Sequence, residues 1–503
     1  MKKKFTFFLS FIIVSFVYSC QKEPQFAPTV ITKEVNSVES ASLTCVGEVS
    51  DDGGTSVTER GFCWSEILNP TIEYSTIKAG SGKGEFRCQI PNLKPGKQYY
   101  IRAYAMNKIG ISYGNQLQTI TKSTTPNLTT LNITDIKYNS AIAGGKINSD
   151  GGSIITEKGI CWATTESPII ESANKIVNKD GTLEFFCQMS DLIPGTKYYL
   201  RAYAINNMGV GYGNQVLLST EPIVIFQDIG FKSFCIQNFD VNKDGELSQS
   251  EALQITTIDC YGYNFSSLKG IEYMSNLSIL NCRYNKLSEL DVSHNSLLSK
   301  LYCTNNILSE IDVSKNTSLT LFWCEYNIIT SLDVSHNILL SNFICDNNKL
   351  KALDISNNPE LDLIWCNGNQ LEVLDTKKNF KLTELICGQN PIKSLDLTNN
   401  KILARLWCSD CNISTIDLSQ NPNLFSFVID SNQLDELDIS KNTMLKLIYC
   451  RNNKIKSLDV SNCPLLKTLN TTSNTKLYEI WLKNGQIIST LFIDSWTITK
   501  YKD

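Results

Sequence analysis

A 21-residue pattern that recurs from about 258 to 482 constrains this chain more than any other feature. One unit reads Leu277-x-x-Leu280-x-Cys282-x-x-Asn285-x-Leu287-x-x-Leu290-Asp291-Val292-Ser293-x-Asn295. The cysteine position returns as Cys303, Cys324, Cys345, Cys366, Cys387 and Cys408. Ile429 interrupts the series, Cys450 resumes it and Thr471 ends it. With Cys260 of a first repeat set one residue further away, that makes eleven strand positions. A unit this short cannot bury a core alone, so neighbours must stack into a solenoid. Eleven strands spaced about 4.8 Å apart would line a sheet roughly 50 Å long.

The pattern resembles bacterial leucine-rich repeats, in particular the cysteine-bearing 21-residue class of the internalin J type of adhesin. The resemblance implies a right-handed solenoid with a parallel sheet on its concave face. It also implies that Leu280 and Cys282 point inward, while Asn285, Asn306, Asn327 and their equivalents ladder in the turn and pair buried backbone groups. Cys411 stands at one of those asparagine places. The cysteine column reads as stacked small hydrophobes, because a metal site needs converging ligands rather than one thiol per rung. A second column, Asp291, Asp312, Asp333, Asp354, Asp375, Asp396, Asp417, Asp438 and Asp459, reads as acids that each cap their own Asp-x-Ser-x-Asn turn.

Between the inward Leu and Cys lies a position that faces outward on the concave sheet. It reads Asn281, Tyr302, Trp323, Ile344, Trp365, Ile386, Trp407, Val428, Tyr449 and Asn470. Tryptophans on alternate rungs of a solvent-facing column point to an interaction surface. The flanking columns add Tyr284, Tyr326, Glu325 and Asp346, so the expected ligand surface is an aromatic ridge edged by acids and amides. Ring stacking that merely stabilises the sheet is the competing account.

Residues 28–122 and 126–221 repeat each other at an offset of 98–99. Asp52-Gly53-Gly54 matches Asp150-Gly151-Gly152, and Gly61-Phe62-Cys63-Trp64 matches Gly159-Ile160-Cys161-Trp162. Pro95-Gly96 and the following Tyr99-Tyr100-x-Arg102-Ala103-Tyr104-Ala105-x-Asn107 have the same counterparts around Pro194 to Asn206. Short β-rich runs between Gly, Pro and Asn turns give an antiparallel sandwich for each copy. The motifs resemble fibronectin type III modules of Bacteroidetes surface proteins, which implies a spacer or adhesive role. Cysteines recur as Cys63 with Cys88 and Cys161 with Cys187. A Cys63–Cys88 and Cys161–Cys187 pair of inter-sheet disulfides and a set of buried free thiols remain equal alternatives on sequence.

Between sandwich and solenoid, Asp240, Asn242, Asp244, Gly245, Glu246, Ser248 and Glu251 fall on the positions of a twelve-residue EF-hand loop. Side-chain oxygens at the first, third and fifth places, the Glu246 carbonyl, Ser248 through water and a bidentate Glu251 would hold one structural calcium ion. Short helices at 231–239 and 249–255 are expected to flank it. An Asx-rich turn that caps the next helix is the alternative. With only one such loop, an ion that fixes the joint between sandwich and solenoid is expected rather than a switch.

The amino terminus is a processing signal: Lys2, Lys3 and Lys4 precede an apolar stretch at 5–17 that is too short to span a bilayer. Val17-Tyr18-Ser19-Cys20 resembles the lipobox of bacterial lipoproteins, which implies cleavage after residue 19 and acylation of Cys20. Gln21-Lys22-Glu23 is similar to the export signal of Bacteroidetes surface lipoproteins, although Tyr18 and Pro24 depart from the usual patterns. Together these imply a lipid anchor in the outer membrane, facing the cell exterior. The formal net charge of −4 and the lack of a basic run after residue 4 argue against nucleic acid as partner.

The expected order is thus a signal peptide at 1–19, a tether at 20–27 and sandwiches at 28–122 and 126–221. A calcium loop and solenoid cap follow at 227–254, then repeats at 255–482 and a terminal cap at 483–503. His294 and His336, the two histidines, sit in turns with no third group to orient them, so catalysis is not expected. Three functions fit: a surface lipoprotein that binds a protein partner, a carbohydrate-capture lipoprotein of an uptake system, and a structural envelope component.

Overall fold

The computed structural model describes Met1 and residues 22–503. The expected signal peptide and the expected acylation site at Cys20 lie outside the described residues. The chain divides into two compact units, one formed by the paired sandwiches and one running essentially from Thr220 to Asp503.

Each sandwich places a three-stranded antiparallel sheet against a five-stranded one. In the first module Thr29–Asn36, Leu43–Asp51 and Gly84–Ile90 form the smaller sheet, and Glu59–Ser65 with Gln98–Met106 form the centre of the larger. The alternation of these strands buries Val30, Leu43, Phe62, Phe86 and Ile101 between the sheets. Gly47 is required there, since a Cβ would stand 2.7 Å from the Phe86 ring. The two sheets are also joined by hydrogen bonds, with Ala103 N–H donating to Thr32 Oγ1 at 2.9 Å and Ala202 N–H to Thr130 Oγ1 at 2.9 Å. Asn107 donates to the carbonyls of Phe26 and Asp52, as Asn206 does to Thr124 and Asp150, which explains the asparagine shared by both copies. Within this unit the Pro95-Gly96 turn meets the second module so closely that a Cβ on Gly152 would lie 2.3 Å from the Pro95 carbonyl oxygen.

The inter-sheet disulfides are not formed, and every described cysteine is a free thiol. Strand parity is the reason. Phe62 faces the sandwich core, so its neighbour Cys63 points to the outer side, where its thiol donates to the Pro70 and Arg102 carbonyls. Cys88 packs toward the core from the other sheet, so Cys63 and Cys88 face away from each other. Cys161 and Cys187 repeat the arrangement, Cys187 within the core and Cys161 bonded to Pro168 and Arg201 carbonyls outside it.

The second unit opens with helix α1 (Ile229–Phe239), capped by the Asp228 carboxylate, which accepts from Gly230 and Phe231 N–H. Helix α2 (Gln249–Ala252) follows, closed at its start by a Ser248–Glu251 capping box and shorter than the expected 249–255. Then comes a 12-stranded parallel sheet of three-residue strands, one per rung. Its inward Leu and Cys positions join one continuous core from Val224 to Leu482.

Two asparagine ladders hold the turns. In the outer one each side chain bridges two rungs: Asn306 Nδ2 donates to the Cys282 and Cys303 carbonyls, and its Oδ1 accepts from Leu287 N–H at 3.0 Å. The inner ladder, from Asn295 to Asn442, is fully buried; Asn316 Nδ2 donates to the Val292 and Asn295 carbonyls at 2.9 Å. The aspartate column behaves as local caps. Asp291 Oδ1 accepts from Ser293 N–H at 2.9 Å, and each successive aspartate repeats the bond two residues on.

The far end differs from the expected cap. Residues 490–492 pair in parallel with Thr468–Asn470 as a twelfth strand where the sequence showed eleven, and Ser457–Asp459, Glu479–Lys483 and Ile498–Lys502 form a second, three-stranded parallel sheet. The turns had no cysteine motif to reveal this rung.

Candidate concave-face binding site

The expected aromatic column lies on the open face of the 12-stranded sheet, and it is more ordered than a row of solvent-exposed rings. Each tryptophan lies toward the following rung. Trp323 Nε1 donates to Asn342 Oδ1 at 2.9 Å, Trp365 Nε1 to Glu384 Oε1 at 2.8 Å, and Trp407 Nε1 to Ser426 Oγ at 3.0 Å. The acceptor is always the first residue of the next strand. The in-register neighbours of Trp323 and Trp365 are Ile344 and Ile386, which are only 5% and 4% exposed. The alternation of aromatic and aliphatic residues therefore has a packing logic, a ring on one rung sheltering the branched chain on the next.

Charged side chains tie the rings together. Arg405 Nη1 pairs with Glu384 Oε2 at 2.7 Å and lies 5.5 Å from the Trp407 ring centre, so Trp365, Glu384, Arg405 and Trp407 form one chain of contacts. At the other end of the face Arg283 stands 5.5, 5.2 and 5.9 Å from the rings of Tyr261, Tyr302 and Trp323, its Nε donating to Asn281 Oδ1. Tyr302 and Trp323 meet edge to face at 5.0 Å. Arg283 belongs to the polar column expected to flank the ridge, whereas Arg405, Tyr261 and the three indole acceptors were not singled out from sequence. The signal that could have found the acceptors is a polar residue 19 places after each tryptophan.

The flanking columns separate into two roles. Tyr284 and Tyr326 are exposed and belong to a column whose backbone is left-handed at every rung, with φ between 52° and 66° from Tyr284 to Ser473. Asparagine, glycine and aspartate recur there because they tolerate that conformation best. Glu325 and Asp346 stand on adjacent rungs and are largely shielded, so burial pushes both carboxyls up, Asp346 to about 7. Asp346 Oδ1 accepts from Asn367 N–H at 2.6 Å. Tyr449 is half-buried near the far end of the column.

The 240–251 loop folds as one turn with its carboxylates drawn inward. Asp240 accepts from Asp244 and Gly245 N–H, Asn242 from Asp244, and Asp244 from Glu246. Glu251 closes the turn by accepting from Val241, Asn242 and Ser248 N–H. Gly245 has φ of 89°, and Leu247 is buried in the solenoid core. The extended stretch at the eighth position pairs with Ile223 and Val224. Glu246 Oε2 is buried without a partner, while its Oε1 meets Lys232 Nζ at 2.7 Å. Oxygens of this kind are the donors a hard cation such as calcium takes, and in this turn they accept from its own backbone N–H groups, as an Asx-rich turn does. Among the described residues no group of three or more His, Cys, Asp or Glu converges as a ready metal cluster.

His294 and His336 are exposed, and each Nδ1 meets the preceding serine hydroxyl at 3.2 Å.

No family model matches the chain. A stretch of 174 residues is 26% identical to fibronectin type-III domain-containing protein 3a of Gallus gallus, covering 34% of this chain and 13% of that protein. A stretch of 68 residues is 36% identical to Internalin J of Listeria monocytogenes serotype 4b (strain F2365), covering 14% of this chain and 7% of that protein. The chain thus spans a small fraction of the curated relatives it matches. Among solved structures, the functional domain of InlJ from Listeria monocytogenes, described as including a cysteine ladder, is 26% identical over 51% of this chain and 66% of that one, with a TM-score of 0.43. The chicken CNTN1 FN1–FN3 domains align over 40% of this chain and 67% of theirs at 11% identity and a TM-score of 0.28.

Proposed function

We propose that this chain is a non-catalytic surface protein that binds a protein partner through the concave face of its repeats. The observation that carries this reading is the tryptophan series, in which each indole is held by a hydrogen bond to the next rung. Rings fixed before binding lose little freedom on contact, and Trp, Tyr and Arg are the residue types that dominate interface energies. Trp407 remains 39% exposed and is the most available of the three.

Binding of the purified chain to arrays of host proteins and of glycans tests this. The expected result is a protein hit that weakens at least about tenfold in Trp407→Ala and is lost when Trp323 and Trp365 are also replaced. Circular dichroism must show the fold retained. Hits confined to glycans would replace this reading with carbohydrate capture, and no hit on either array would favour a structural envelope role.

We also infer lipid attachment at Cys20 and display on the outer membrane surface, a reading supported by the lipobox-like segment alone. Metabolic labelling with a fatty acid, lost in Cys20→Ala, is the expected outcome; unlabelled wild-type protein would remove it.

The 240–251 loop is proposed to take one calcium ion, held by Asp240, Asn242, Asp244, the Glu246 carbonyl and Glu251, with Ser248 acting through water. The ion would supply a positive charge that fixes the turn beside α1. At about 100 times its Kd, calcium should stabilise the fold by about 2.7 kcal/mol. A melting temperature unmoved by calcium or chelator, with no heat of binding in Asp240→Ala or wild type, would refute the site.

A further inference from the structure

One column of the concave sheet carries aspartate at two rungs, and the two carboxylates are finished differently. Asp346 and Asp430 hold the same place in the repeat and are 9% and 5% exposed. Each turns toward the following rung and accepts a backbone N–H with Oδ1, Asp346 from Asn367 at 2.6 Å and Asp430 from Arg451 at 2.7 Å. At Asp430 the other oxygen is met by the same Arg451, whose Nε and Nη2 donate to Oδ2 at 2.9 and 2.7 Å. The Arg451 side chain is half exposed, so its guanidinium reaches this shielded carboxylate from the solvent side.

At Asp346 the following rung supplies no cation. The residue in the place of Arg451 is Asn367, and its Oδ1 leans away toward Gly388, where a Cβ would stand 3.2 Å from it. The rung before Asp346 adds a second acid, Glu325, whose Oε2 is buried with no hydrogen-bond partner among the described residues. Beside that carboxyl, one rung earlier still, is Thr304, 4% exposed, and its Oγ1 is buried without a hydrogen-bond partner as well.

Arg283, two rungs from Glu325, does not fill the place. Its Nε is held by Asn281 Oδ1, and its guanidinium lies among the rings of Tyr261, Tyr302 and Trp323. It acts on Glu325 only through its charge, and among the described residues no cation acts on Asp346. Shielding the two acids with nothing opposite them is costly, and a proton held on Asp346 up to about 7 relieves only part of that cost.

We propose that Glu325 and Asp346 receive an arginine side chain of the protein partner, its guanidinium taking at Asp346 the place that Arg451 takes at Asp430. This rests on the reading of the concave face as a protein-binding surface and names the side chain that the face takes. A guanidinium carries five donors in a rigid fork, enough to meet Asp346 Oδ2, Glu325 Oε2 and Thr304 Oγ1 together. A lysine ammonium is more strongly hydrated and enters a shielded acid pair at greater cost.

Isothermal titration of the full chain with Nα-acetyl-arginine amide, in chelator to keep divalent cations away, tests the site. Binding is expected at one site, and Nα-acetyl-lysine amide should bind more weakly. Glu325→Gln and Asp346→Asn should each weaken binding by about tenfold or more, while Asp417→Asn, on the turn column, should leave it unchanged. Asn367→Arg copies the Asp430–Arg451 pair and should block the probe although both acids remain. Circular dichroism checks that each variant is folded. A wild type that does not bind the probe, binding that ignores Asp346→Asn, or an Asn367→Arg variant that binds as well as wild type would each overturn the proposal. The probe is a single residue, so its binding is read whether or not a protein array gives a partner. An array partner whose affinity falls with Trp407→Ala but ignores Asp346→Asn would overturn the arginine site and leave the concave-face reading standing.

Discussion

The Thr376 hydroxyl donates to Asn400 Oδ1 at 2.7 Å, and this bond singles out Asn400 in the inner asparagine ladder. The Oδ1 atoms of Asn295, Asn316, Asn337, Asn358, Asn379, Asn421 and Asn442 are buried with no partner among the described residues. At the other rungs the place of Thr376 is held by aliphatic side chains such as Val313, Val334 and Ile355, which have no proton to offer.

Thr376→Val should therefore destabilise the protein by about 1–2 kcal/mol, since it leaves a buried acceptor unpaired. The reciprocal change Val334→Thr sets a hydroxyl beside Asn358 and should stabilise by about 1 kcal/mol or offset its own burial cost. Urea unfolding midpoints of the two variants measure both. Opposite signs are expected, and a Thr376→Val midpoint equal to that of the wild type would show that the hydroxyl bond contributes nothing.

Cys411 stands in the outer ladder where other rungs carry asparagine. Its thiol reaches the Cys387 and Ser409 carbonyls at 3.6 and 3.5 Å, but sulfur offers Ile392 N–H no counterpart to the Oδ1 that Ile413 N–H finds on Asn432. Cys411→Asn should restore that bond and raise stability by about 1 kcal/mol. An unchanged or lower melting temperature would mean that the rung has adjusted its spacing to sulfur.

Asp346 gives the stability a pH dependence of unusual sign. Burial, with Glu325 one rung away, raises its carboxyl from an ordinary 3.8 to about 7. Between those values the folded chain holds a proton that the unfolded chain has released, so stability falls as pH rises from about 4 to about 7 and levels above it. Asp346→Asn keeps an oxygen for Asn367 N–H and should flatten that slope. The turn aspartates act the other way: turn hydrogen bonds lower the carboxyls of Asp312 and Asp417, for example, and their contribution is lost as pH falls through those lowered values. Unfolding midpoints at pH 5 and pH 8, in wild type and variant, distinguish the two.

Titration of the unfolded, unreduced protein should find the sandwich cysteines free. Cys63→Ala and Cys161→Ala should leave stability insensitive to reductant, because neither residue faces Cys88 or Cys187. Mass shifts that reveal a Cys63–Cys88 bridge would contradict the strand parity.

The concave site was legible in part. The column of Tyr302, Trp323, Trp365, Trp407 and Tyr449 follows from the repeat, because a fixed period places every member of a column on the same face. Its order was not legible, since each indole is fixed by a residue on another rung and Arg283 gathers rings from three rungs. Glu325 and Asp346 appeared in sequence as ordinary acids of a polar flank; only their neighbours' packing makes them shielded.

What the sequence determined by itself is whatever recurs at a fixed interval along the chain: the solenoid, its inward Leu and Cys positions, the outer asparagine ladder, the aspartate turn caps and the duplicated sandwich. These depend on local periodicity and on backbone groups a few residues away or one period away. The tertiary structure alone decided which face of its strand each sandwich cysteine takes, that the inner ladder is left with unpaired oxygens, and that residues 490–492 add a twelfth strand to the sheet. Alternation along a strand says that Phe62 and Cys63 point oppositely, but not which of them faces the other sheet. That choice is made by atoms distant in sequence that must share one dry interior.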